Sequence, residues 1–92
     1  MKKHRNNVLH NVSIKDIVTE LQTRIKRNVE IFGKAYNSNR KVNIRCYPSD
    51  SLYLFEDATV TSFSELVVHF NDYYGKPCHI EMEKVEGVQI IK

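Results

Sequence analysis

Residues Ser13–Phe32, SIKDIVTELQTRIKRNVEIF, predict one long amphipathic helix, and we expect the rest of the chain to be organised around it. Its apolar side chains recur every three or four residues within a stripe about 120° wide, which is typical of a helix with one buried face. Ser13 is a favourable N-cap, and Gly33 follows the last apolar position, where a glycine C-cap would end the helix. Asn28 falls inside the stripe, so we expect it to need a hydrogen-bond partner or a route to water. The apolar positions are Ile14, Ile17, Val18, Leu21, Ile25, Val29 and Phe32.

Three later segments alternate between apolar and polar residues, a pattern that predicts half-buried β-strands. In residues 41–47, Val42, Ile44 and Cys46 are expected to face the core, with Asn43, Arg45 and Tyr47 outward. In Leu52–Phe55, the two leucines are expected inward, with Tyr53 and Phe55 outward. In Cys78–Lys84, the inward residues would be Cys78, Ile80 and Met82. Glu86–Gly87 is a tight-turn signal, after which Val88–Ile91 would return as a last strand.

A second helix is predicted between the strand at Leu52–Phe55 and the strand at Cys78–Lys84. Ser62-Phe63-Ser64-Glu65 has the pattern of a capping box, in which a serine precedes a glutamate by three residues. The helix would end at Gly75-Lys76-Pro77. Its apolar face would carry Phe63, Leu66, Val67, Phe70 and Tyr74.

The predicted fold class is α+β, with two helices packed on one face of a small antiparallel sheet in the order (β)αββαββ. This order is that of the ferredoxin-like split βαβ arrangement. It depends on a short first strand at Val8–Val12, without which the order becomes αββαββ. We expect residues 1–7 to form a disordered basic arm and residues 8–92 to form a single α+β domain.

Composition indicates a cytoplasmic protein that does not interact with membranes. No apolar run approaches the length of a membrane span, and the basic N-terminus is not followed by the apolar segment of a signal peptide. Two cysteines do not make a disulfide framework, so we expect free thiols in a reducing compartment.

The net charge of +3 hides an asymmetry between the two halves of the chain. Residues 1–46 hold eleven Lys or Arg against three acidic residues, a balance of +8, whereas residues 47–92 hold three against eight, a balance of −5. Such asymmetry is a hint of contacts with nucleic acids, with acidic surfaces, or head-to-tail between copies of the chain. The alternative is that folding brings residues of both halves together, so that their opposite charges offset each other in the electrostatic field of the domain.

The motifs that accompany common enzyme chemistries are absent from the sequence. It has no phosphate-binding glycine loop, no HExxH, no CxxC and no GxSxG. His69, Cys78 and His79 are the best metal candidates, but Cys78 and His79 are strand neighbours whose side chains point to opposite faces. We therefore predict a non-enzymatic protein with no metal and no cofactor.

The leading functional hypothesis is a small accessory or regulatory protein that binds nucleic acid. Aromatic and cationic side chains on an open sheet face are typical of surfaces on which bases stack, and a basic arm would add phosphate contacts. The alternative is a protein-binding inhibitor or adaptor module that uses the same patch on a protein partner, or a homodimer interface. Compact chains rich in Asn, Ile and Lys are also common in phage and mobile-element genes. The candidate binding residues are Lys2, Lys3, Arg5, Arg45, Tyr47, Tyr53 and Phe55.

Overall fold

The computed structural model describes residues 14–91 and shows one α-helix packed against a five-stranded antiparallel sheet. The α+β class is confirmed. The prediction of two helices in the order (β)αββαββ is wrong, and with it the ferredoxin-like arrangement. The elements are α1 (Ile14–Ser38), β1 (Val42–Cys46), β2 (Tyr53–Phe63), β3 (Val67–Asn71), β4 (Pro77–Glu81), a 3-10 helix (Met82–Lys84) and β5 (Val85–Ile90).

The sheet has the strand order β4-β3-β2-β1-β5, and every neighbouring pair is antiparallel. Helix α1 contacts β5, β2 and the 3-10 helix. The inward positions predicted for β1 and for the segment starting at Cys78 are confirmed: Val42, Ile44, Cys46 and Met82 are fully buried, Ile80 nearly so and Cys78 half-buried. The buried apolar core consists of Phe32, Ala35, Val42, Ile44, Cys46, Ala58, Val60, Val68, Phe70, Ile80, Met82 and Val85.

Helix α1 continues past the predicted end at Gly33 and stops at Ser38. Asn39 follows with φ of 56°, so an asparagine, not a glycine, takes the left-handed position after the helix. Gly33 has a packing role inside the helix. A Cβ at this position would lie 3.3 Å from Cζ of Phe63, so the missing side chain lets β2 approach the helix closely.

The predicted second helix is wrong, because residues 67–71 form strand β3. The capping box predicted from Ser62 and Glu65 is wrong, because Ser62 lies within β2, and a different serine makes a side-chain-to-backbone interaction in a tight turn. Oγ of Ser64 accepts the backbone N–H groups of Leu66 (3.1 Å) and Val67 (3.3 Å), which turns the chain from β2 into β3. The apolar residues Val68 and Phe70, two apart, both face the core, as the period of a strand requires.

The inward face predicted for the start of β2 is reversed. Tyr53 lies directly opposite the buried Cys46, and Phe55 opposite the buried Ile44, so these aromatic residues share the helix-facing side of the sheet. Leu54 faces outward instead and is 46% exposed. A bulge causes the reversal: Asp57 adopts a left-handed φ of 54°, and its backbone N–H donates to Oδ1 of Asn43. The extra residue shifts the alternation by one, so Ala58 and Val60 again face inward.

The predicted tight turn at Glu86–Gly87 is also wrong, because β5 runs through it from Val85 to Ile90. The chain changes direction at the 3-10 helix, and the N–H of Met82 donates to the carbonyl of Leu66 at its start. Gly87 lies beside Arg45 on the neighbouring strand. Ser13, the Val8–Val12 strand and the arm of residues 1–7 lie outside the described residues.

Within residues 14–91, no helix is both long enough and apolar enough to cross a membrane.

Candidate functional site

Arg45 is the cationic candidate within the described residues, and it lies on the opposite face of the sheet from Tyr53 and Phe55. Lys2, Lys3 and Arg5 lie outside the described residues. Arg45 faces away from the helix and forms an exposed ion pair with Glu86, with 2.9 Å between Nε and Oε1. The prediction that Arg45, Tyr53 and Phe55 share one open sheet face is therefore wrong. The bulge in β2 places both aromatic residues on the other face.

Tyr53 and Phe55 come together near the start of β2. Their ring centroids are 4.6 Å apart, and the ring of Phe55 also makes an edge contact with the buried Phe70 at 4.9 Å. Phe55 is half-buried and belongs partly to the core, whereas Tyr53 remains 53% exposed. Tyr47 is exposed just after β1, where its backbone N–H donates to the carbonyl of Lys84.

An open cleft of about 450 Å³ lies at this end of the sheet, between the start of β2 and the turn that joins β3 to β4. Two tyrosines of that turn, Tyr73 and Tyr74, make an edge contact with 5.1 Å between ring centroids. Both tyrosines are largely exposed, Tyr74 by 88%. We refer to this site as the aromatic cleft; its described lining is Tyr53, Leu54, Phe55, Glu56, Asp57, Asp72, Tyr73 and Tyr74.

Carboxylates supply the charge of the aromatic cleft. Its lining includes Glu56, Asp57 and Asp72, and none of its eight described lining residues is a lysine or an arginine. Oδ1 of Asp72 accepts the backbone N–H groups of Tyr74 (2.9 Å) and Lys76 (2.8 Å), so this carboxylate also shapes the turn. A surface with aromatic faces and a net negative charge favours cationic ligands and repels phosphates.

Sequence reasoning did not identify Tyr73, Tyr74 and the three carboxylates as site residues. The second helix predicted from the sequence extends through Asn71-Asp72-Tyr73-Tyr74 and ends at Gly75. Its Asn-Asp start and the glycine, which has φ of 82°, are typical of a turn and could have indicated one. The pairing of this turn with the start of β2 depends on contacts between distant residues, which no local pattern contains.

Both cysteines are free thiols, as predicted. Burial raises the pKa of Cys46 to about 11. The pKa of Cys78 is also raised, mainly by burial and then by the Asp72 carboxylate, while the Lys76 ammonium acts in the opposite direction.

Cys78 and His79 do lie on opposite faces of β4. Cys78 pairs with the buried Phe70, whereas His79 pairs with the exposed His69, with 5.7 Å between the imidazole centroids. Within residues 14–91, no group of three or more His, Cys, Asp or Glu side chains is arranged to hold a metal ion.

Comparisons of this chain with protein-family models, with curated proteins and with solved structures find no match.

Proposed function

We propose that this chain is a small, non-enzymatic protein-binding module whose aromatic cleft holds a lysine- or arginine-bearing segment of a partner protein. The observation that carries the proposal is the composition of the cleft, in which four aromatic side chains stand beside three carboxylates. An aromatic face attracts a cation through its quadrupole, and a nearby carboxylate adds an ion pair. The same combination does not suit an anionic ligand.

The structure of the site also suits a protein segment better than a small molecule. The cleft is open to solvent, and its exposed residues Tyr53, Tyr73 and Tyr74 are of a type enriched in protein interfaces. The core contacts of Phe55 and the turn held by Asp72 keep the two walls of the cleft in place without a ligand.

Nucleic-acid binding stays a prediction. The exposed basic residues of α1, such as Lys26, Arg27 and Lys34, could contact phosphates, although Glu20 and Glu30 are also exposed on this helix. Stacking of bases would have to use aromatic residues that lie beside carboxylates, which disfavours a phosphate backbone at the same place. For this reason we place the protein-binding function first.

The test measures the affinity of the full chain for three labelled probes by fluorescence polarisation. The probes are a hexa-arginine peptide, a hexaglutamate peptide and a single-stranded oligonucleotide. We expect binding of hexa-arginine and little binding of the other two. Tighter binding of the oligonucleotide than of hexa-arginine would overturn the proposal in favour of the nucleic-acid hypothesis.

Substitutions inside and outside the aromatic cleft test whether hexa-arginine binds there. Tyr74→Ala removes a side chain that is 88% exposed, so it should leave the fold intact and weaken hexa-arginine binding by about 0.5–1 kcal/mol. Glu56→Gln should weaken it as well, because it removes one charge from an exposed position. The matched controls are Tyr47→Ala and Glu65→Gln, an exposed tyrosine and an exposed glutamate outside the cleft. If the controls weaken binding as much as the cleft variants do, the cleft is not the site.

A further inference from the structure

The N-terminal half of helix α1 carries an apolar surface that the described part of the chain does not cover. Every residue from Ile14 to Glu20 is exposed, including Ile14 (78%), Ile17 (55%) and Val18 (42%). The fully buried residues of the helix are Asn28, Phe32 and Ala35, and the half-buried Ile25 packs against the core just before them. Apolar side chains on the exposed half follow the same stripe that packs on the sheet further along.

The spacing of this stripe is that of a helix-pairing seam. Ile14, Val18, Leu21 and Ile25 are separated by four, three and four residues, and Asn28, Phe32 and Ala35 continue the alternation with steps of three, four and three. Alternating steps of three and four are the a and d positions of heptads, which place side chains against a second helix. The last three of these positions are fully buried, and Ile25 already packs partly against the core. Ile14 and Val18 are exposed, and the half-buried Leu21 and Ile25 keep part of their surface available for another helix.

We propose that this seam (Ile14, Val18, Leu21 and Ile25) pairs with the same seam of a second copy of this chain, with the two helices antiparallel. The order of steps, four, three and four, reads the same in both directions. An antiparallel two-fold axis between Val18 and Leu21 therefore sets Ile14 against Ile25 of the second copy and Val18 against Leu21. All four apolar layers are filled by self-complementary contacts, as a two-fold dimer requires.

A groove of about 480 Å³ at the sheet end of the seam supports the antiparallel direction. It is lined by apolar residues, Ile25, Leu66 and Val67, and Leu66 is 80% exposed. In the antiparallel pair, the start of the second copy's helix reaches Ile25 and hence this groove. The remaining described lining residues are Glu65, His79, Glu81 and Glu83.

Charge complementarity favours the same direction. Glu65 and Glu83 of the groove would lie near the N-terminal end of the second copy's helix, which is the positive end of the helix dipole, whereas Glu81 already forms an ion pair with Lys84. Lys15 of the second copy would lie in the same region, one residue after Ile14. A parallel pair would instead place the helix starts together, away from these carboxylates.

The first test measures the molar mass of the full chain by light scattering across a roughly hundredfold range of concentration. We expect a dimer that dissociates on dilution. Val18→Glu should weaken self-association by more than about tenfold, because it places a carboxylate in a central layer. Thr23→Glu, on the exposed opposite side of the helix, is the matched control and should leave the dimer unchanged. A monomer at all concentrations would overturn the proposal, and so would a dimer that Val18→Glu leaves intact.

The second test determines the direction of the pair by cysteine cross-linking in a Cys78→Ser background. Chains with Val18→Cys are mixed with chains with Leu21→Cys and oxidised. The antiparallel register sets these two positions side by side, so we expect the mixed disulfide dimer to dominate. Cross-linking of Val18→Cys chains mainly to each other would indicate a parallel pair and overturn the proposed register. Far-UV circular dichroism of each variant checks that the fold is retained.

Discussion

Asn28, in the middle of helix α1, donates a hydrogen bond of 3.2 Å from its side-chain Nδ2 to the main-chain carbonyl of Val85, which begins β5. Asn28 is fully buried inside the apolar stripe, and its Oδ1 has no hydrogen-bond partner within residues 14–91. This bond ties the helix to the sheet at the point where buried packing begins. The expectation that Asn28 needs a partner is therefore confirmed for its donor.

Replacing Asn28 should destabilise the fold by an amount that depends on the new side chain. Asn28→Ala removes the donor to the Val85 carbonyl and should lower the free energy of unfolding by about 1–3 kcal/mol. Asn28→Asp should cost more, because it buries a carboxylate beside a carbonyl oxygen with no donor. Urea denaturation measures both, with Asn37→Ala, an exposed position on the same helix, as the control. Equal stability of Asn28→Asp and the unchanged chain would contradict the observed packing.

The contact between Gly33 and Phe63 predicts that a large substitution at Gly33 destabilises the fold and that a small one does not. Gly33→Ala gains about 1 kcal/mol of helix propensity and loses part of it to the 3.3 Å contact, so we expect a net change near zero. Gly33→Val should lower stability by about 1–3 kcal/mol, because it pushes the helix away from the Phe63 ring. Thermal unfolding of the two variants provides the comparison. A stabilising Gly33→Val would show that helix and strand are not in close contact.

Side-chain truncations should change the free energy of unfolding little in the exposed N-terminal half of α1 and strongly in its buried C-terminal half. Phe32→Ala removes a fully buried ring and should cost about 3–5 kcal/mol, and the same range applies to the buried Phe70. Ile14→Ala, at a position 78% exposed, should change the stability of the dilute chain by less than about 0.5 kcal/mol. Leu21→Ala should fall between them, because Leu21 is half-buried. Chemical denaturation at low chain concentration measures all four, and a large effect of Ile14→Ala there would mean that the start of the helix is covered within one chain.

The raised pKa of Cys46 predicts a loss of stability at alkaline pH. A thiol in the unfolded chain ionises near pH 9, whereas Cys46 in the fold holds its proton until about pH 11. Between these values the unfolded chain binds fewer protons, so the free energy of unfolding falls as the pH rises, and the effect is absent below pH 9. Denaturation midpoints of the unchanged chain and of Cys46→Ala, followed from neutral to alkaline pH, measure this contribution. The variant should show a shallower decline, and parallel curves would argue against a buried thiol.

The nucleic-acid hypothesis has its own direct test in the salt dependence of binding. Deleting residues 2–5 removes Lys2, Lys3 and Arg5 and should flatten the slope of log K against log salt by roughly 0.7 per lost contact to a single strand. Tyr53→Ala would remove stacking, about 1–3 kcal/mol per base, and leave the slope nearly unchanged. If neither change alters oligonucleotide binding, or if the unchanged chain does not bind at low salt, this hypothesis fails.

The elements whose apolar residues recur with an unbroken period could be predicted from the amino-acid sequence. The stripe from Ile14 to Phe32 indicated the helix, and the alternation around Ile44 and Ile80 indicated strands with their inward faces, because burial of one face imposes a period that local residues record. The free thiols also followed from the sequence. The aromatic candidates Tyr53 and Phe55 lie in the cleft that we propose as the binding site, but Arg45 and Tyr47 are not among its lining residues.

Features that depend on contacts between residues far apart in the chain could not be predicted from local patterns. Residues 63–70 fit a helical period as well as a strand, and pairing with β2 and β4 on both sides selected the strand. The bulge at Asp57, held by Asn43, turned Phe55 inward against the local alternation. The helix passes Gly33 because Phe63 packs there and because Ala35 still has core to contact. In each case a non-local contact outweighed a local preference of about 1 kcal/mol or less.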